Sequence, residues 1–99
     1  MTLTEFAQLP QNPSSLPTAL QALWYDRQGN WDKAHEIVQD ANDLDSDWVH
    51  AYLHRQEGDL NNARYWYHRS RQPFFTSDLK SEWEHIASNL LLRIENCSL

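Results

Sequence analysis

Apolar residues recur along this chain at helical spacing, and at no point do they alternate as a strand requires. Leu16, Leu20, Leu23 and Trp24 keep that spacing ahead of Gly29, which predicts a first helix starting after Ser14 or Ser15, with Pro17 in its first turn, and ending near Gln28. Trp31, Ala34, Ile37, Val38, Ala41 and Leu44 fall on one face of a second helix, with Asp32, Lys33, Glu36, Gln39, Asp40 and Asp43 on the other. Trp48, Ala51 and Tyr52 repeat the pattern in a third helix, which Ser46 or Asp47 would cap and which ends at Glu57. A fourth carries Leu60, Ala63, Tyr67 and Ser70 inward and stops near Arg71, before Pro73. Thr76 or Ser77 would cap a fifth, whose stripe is Leu79, Trp83, Ile86, Ala87, Leu90, Leu91 and Ile94. Residues 1–14, with Pro10 and Pro13, show no sustained period and are expected to be an irregular arm that Phe6 could anchor; 96–99 are expected to fray. The fold class is therefore all-α, with a single helical domain over residues 15–95.

Within that pattern lies a repeat. Gly29-Asn30 and Gly58-Asp59 are both stop-start pairs, in which glycine closes one helix and the next residue caps another. Aligning them also superposes Trp31 on Leu60, Ala34 on Ala63, Val38 on Tyr67 and Ala41 on Ser70. A constant offset of this kind predicts two tandem helical hairpins closed by a C-terminal helix. The run Ala22, Tyr25, Gly29, Ala34, Val38 and Ala41, followed by Ala51, His54, Gly58, Ala63, Tyr67 and Ser70, resembles the tetratricopeptide repeat, although the offset is shorter than that family's repeat of about 34 residues.

The resemblance implies a non-enzymatic protein-interaction module that holds a peptide segment or partner helix in a shallow groove. In such arrays the first helix of each unit lines the concave face. Carried over by position, the binding residues would be Asp26, Arg27, Trp48, Tyr52, Arg55 and Gln56, with Trp48, Tyr52 and Arg55 as anchors of the type that dominates binding energy. The N-terminal arm or the last helix of the same chain could instead cover that face, or a second copy of the chain could do so as a homodimer.

Charge narrows the partners. The net charge of −6 argues against nucleic acid and against an anionic membrane. The absence of a leader-like or membrane-length apolar run leads to a cytoplasmic expectation. Cys97 is the single cysteine, so no disulfide can form within the chain, and nothing assigns that thiol a role.

Candidate chemistry is sparse. His50 and His54 lie four apart and could share a metal ion, but His35, His68 and His85 look scattered, so the expectation is no metal and no cofactor. The alternative function is a small metal-binding or ligand-binding protein, or a hydrolase, built on the His50/His54 region. Asp43, Asp45 and Asp47 suggest a calcium loop until Trp48 and His54 occupy the positions that need Gly and Glu, which leaves helix capping as their role. From Arg64 to Arg71 basic and aromatic residues alternate, but helical projection spreads them: Tyr67 points inward, Arg64, His68 and Arg71 line a solvated flank, and Trp66 is expected under the last helix.

Overall fold

The computed structural model describes the backbone of residues 1–97 and the side chains of 1–96, so the Cys97 thiol and the end of the tail lie outside the described residues. Six helices make up the described chain: α1 (Leu3–Ala7), α2 (Thr18–Arg27), α3 (Trp31–Asp40), α4 (Leu44–Gln56), α5 (Leu60–Ser70) and α6 (Leu79–Cys97). No helix of the described residues is long and apolar enough to cross a membrane.

The two stop-start pairs are built alike. Gly29 has φ +82° and Gly58 φ +85°. The Gly29 N–H donates to Asp26 O and the Asn30 N–H to Tyr25 O; one repeat later Gly58 donates to Arg55 O and Asp59 to His54 O. Each is a Schellman closure, which satisfies carbonyls that a helix end would otherwise leave open. Asn30 and Asp59 then turn their side chains forward to accept from the backbone N–H groups of Lys33 and Asn62, capping α3 and α5. One residue thus ends one helix and begins another, which forces α2 against α3 and α4 against α5.

Several boundaries differ from the sequence reading, each for a local reason. Pro17 precedes α2 as its N-cap instead of sitting in its first turn. Ala41 is extended, so α3 ends at Asp40, and Leu44 starts the next helix on the exposed side instead of completing the apolar face. Asp43, not Ser46 or Asp47, caps α4, accepting from both the N–H and the hydroxyl of Ser46. Asp78 likewise replaces Thr76 and Ser77, accepting from Ser81 N–H at the start of α6. The N-terminal segment includes a short helix where no period was visible. Thr2 and Glu5 form a reciprocal capping box around it, and Phe6 drives fully into the core against Trp83.

Helix α6 completes the core. It packs on α1, α2 and α4 together, and its stripe of Trp83, Ile86, Ala87, Leu90 and Leu91 is buried. The indole N–H of Trp83 donates to Leu23 O, and that of Trp24 to Leu9 O, so two large rings are buried without leaving a polar atom unpaired.

Candidate functional site: a three-histidine cluster

The face expected to form an open groove is closed. Trp48 is 5% exposed and Tyr52 3% exposed, because α6 lies across α4 and brings His85 edge-on to the Trp48 ring. Of the two alternatives, an accessible concave stripe of Trp48, Tyr52 and Arg55 or a face covered by the last helix, the first is therefore corrected and the second holds: α6 covers the face. The six residues do partly converge, but on one another. The Tyr52 hydroxyl donates to Asp26 Oδ2 at 3.2 Å, Gln56 also hydrogen-bonds the Asp26 carboxylate, and Arg55 reaches the wholly buried Glu82 at 2.8 Å and the Ser77 carbonyl. The Tyr67 hydroxyl donates to the other Glu82 oxygen. Burial raises the carboxyls of both Asp26 and Glu82 despite these donors. Arg27 stands apart, its guanidinium 4.8 Å from the centre of the Trp83 ring. This is a polar lock holding α6 down, and Glu82, inside an apolar stripe between Leu79 and Trp83, is the member that the sequence reading missed.

A different set of residues does assemble into a chemically capable site. His50 and His54 lie one turn apart on α4, and His35 of α3 comes to meet them: the potential ligand atoms of the three rings all lie within 4.8 Å of one another. His35 Nε2 and His50 Nε2 are 3.1 Å apart. The expectation that no third histidine is at hand is thus corrected. His35 follows Ala34 at the edge of the buried face of α3, and Trp31, four residues earlier, turns the same way and donates its indole N–H to Leu53 O of α4. That spacing was the available signal, and it shows only once α3 is known to pack against α4.

The surroundings fix the rings. Trp31 stacks on His35 with centroids 4.8 Å apart, and Trp66 stacks on His50 at 3.9 Å, so Trp66 walls this cluster instead of lying under α6. His54 Nδ1 sits 2.6 Å from Glu57 Oε1. Because the carboxylate can only accept, Nδ1 carries a proton, and Nε2 is the nitrogen left to ligate. Glu57 is held where it is by the Schellman closure at Gly58, whose other hydrogen bond comes from Asp59 N–H to the carbonyl of His54 itself. Turn geometry and ring orientation are therefore one local structure.

The electrostatics favour the neutral form of His35 and of His50. Burial, aided by the neighbouring His54 and His35, pushes His50 down to about 3, and burial followed by His54 lowers His35. Three imidazoles brought together from two helices are a transition-metal donor set, and a carboxylate on the outer nitrogen of one of them is the usual orienting partner of a ligating histidine. Hydrogen bonding alone does not complete the cluster: His50 Nδ1 is buried with no partner.

Compared with family models, curated proteins and solved structures, the chain matches none of them, so this site is argued from its residues alone.

Proposed function

We propose that this protein binds a divalent transition-metal ion, zinc or a close analogue, through His35, His50 and His54. The observation that carries the reading is the convergence of three histidine nitrogens from two different helices, two of them 3.1 Å apart. Ligands at about 2.0 to 2.1 Å from a tetrahedral zinc stand roughly 3.3 Å from each other, so the His35 to His50 spacing already suits the ion, and the ligand atom of His54 lies within 4.8 Å of both. Glu57 supports the assignment by fixing the His54 tautomer, and the two tryptophans support it by restricting ring rotation. Chemically, imidazole suits zinc, copper, iron and nickel, and zinc is the ion that asks for no particular redox environment.

Zinc titration by calorimetry on the full chain tests this. One equivalent should bind, with loss of at least tenfold in affinity in His35→Ala, a half-buried position, and a comparable loss in His54→Ala. Absence of stoichiometric binding, or binding indifferent to both substitutions, would reject the site. The Glu57→Gln variant should weaken binding by about 10-fold to 100-fold, the range seen when an orienting partner is removed.

A further inference from the structure

Three protein ligands do not satisfy a four-coordinate ion. Among the described residues the three-histidine group contains no carboxylate; Glu57 and Asp59 form a second group with His54 and are not within 4.8 Å of His35 and His50 together. The nearest carboxylate, Glu57, already has an oxygen engaged by His54 Nδ1. Sites that hold zinc only for structure close the fourth position with a protein side chain, whereas sites with three protein ligands leave it to water or substrate.

Building on the metal reading, we propose that the bound ion keeps its fourth position open on the His35 side of the cluster, and that this position takes water or a small anion such as hydroxide or a carboxylate. The geometry gives the direction. His50 and His54 are buried and Trp66 covers the His50 ring, whereas His35 is only half-buried and forms the rim toward solvent. Charge gives the ligand class. A divalent ion on neutral imidazoles brings two positive charges into a site whose nearby carboxylates, Glu57 and Asp32, act on His35 through space. An anion in the fourth position offsets part of that charge directly on the metal, and a water there loses its proton readily, near pH 7 on comparable three-histidine zinc centres.

Cobalt(II) in place of zinc makes the position visible. On adding one equivalent to the full chain, the expected result is the intense visible spectrum of a four-coordinate ion, which shifts saturably with azide and with acetate and also changes reversibly with pH around neutrality without added anion. A cobalt spectrum that forms at one equivalent yet is unmoved by azide, acetate and pH overturns the open position and leaves metal binding standing. No spectrum at one equivalent overturns metal binding and this inference with it. Substituting Asp32→Asn, which removes a carboxylate that acts on His35 from outside the ligand set, should increase the apparent affinity for acetate severalfold with the cobalt stoichiometry unchanged; an unchanged acetate affinity would overturn the assignment to the His35 side.

Discussion

Left-handed residues close α2, α4 and α5, and one of the three is not glycine. Arg71 has φ +64°, and the hydrogen bonds from Arg71 N–H to His68 O and from Gln72 N–H to Tyr67 O repeat the Schellman pattern of Gly29 and Gly58. An L side chain in that conformation costs about 1 to 2 kcal/mol, and glycine gives back about 0.4 to 1 kcal/mol through the greater freedom of the unfolded chain, so Arg71→Gly should stabilise the fold by about 0.5 to 1 kcal/mol, measured as an increase in the chemical denaturation midpoint. The reverse experiment applies at the other two turns. A Cβ at Gly29 or Gly58 would meet nothing within 4 Å, so steric crowding adds nothing and the cost is purely that of the backbone. Gly29→Val and Gly58→Val should each lose about 1 kcal/mol or more, and unchanged midpoints would remove the closure as the reason for glycine there. The two substitutions should differ in one respect: Gly58 also sets the Glu57 to His54 contact, so only its replacement should weaken zinc binding.

At the scale of elements, α2 to α6 and their inward faces were legible because each face repeats with a 3.6-residue period and the breaks at Gly29 and Gly58 carry a stop-start signal, whereas the five-residue α1 is too short to show a period. The start of α4 was not: Asp43, Ser46 and Asp47 are all competent caps in sequence, and only the extended backbone at Ala41 decides between them. What covers what was equally hidden. The stripe on α6 announces that it needs a partner, but not that the partner is the α2 and α4 face that includes Trp48 and Tyr52. Trp48→Ala should accordingly cost about 3 to 5 kcal/mol of stability, the range for truncating a buried aromatic, where an exposed binding anchor would cost about 0.5 kcal/mol; a loss below about 1 kcal/mol would mean that α6 does not seal the ring. The lock beneath α6 has its own signature. Glu82 is wholly buried between Arg55 and Tyr67, and burial raises its carboxyl above the ordinary value. A raised folded value means that the folded chain holds a proton the unfolded chain releases. Glu82 therefore favours folding below the unfolded carboxyl value and loses that contribution as pH rises through the folded one. Denaturation midpoints measured across the mildly acidic range should fall with rising pH more steeply in the native chain than in Glu82→Gln, which lacks this titration; identical slopes would show that the proton is not held there.

For the molecule as a whole, the histidine cluster sits where its leverage is greatest. His35 belongs to the helix pair α2 and α3, while His50 and His54 belong to α4 and α5, so an ion on all three joins the two pairs on the edge away from the Glu82 lock under α6. Both pairs have capped ends of their own, and α3 against α4 is the seam between them. Binding to the folded state alone adds RT ln(1 + [L]/Kd), about 2.7 kcal/mol at a free metal concentration a hundred times Kd. For a domain of this size each kcal/mol raises the melting temperature by roughly 4 to 8 °C, so saturating zinc should raise it by about 10 to 20 °C. Chelation should return the melting temperature to its starting value, and the increase should vanish in His35→Ala, which leaves α4 with two histidines and nothing from across the seam. Hydrogen exchange locates the effect: amides of α3 and of the first turns of α5 should slow on zinc addition more than those of α1 and of the α6 terminus, because the former move only when the seam opens. Uniform slowing over all six helices would mean that the ion stabilises the fold globally without joining the pairs, and a melting temperature unmoved by zinc would take away the cluster's role altogether.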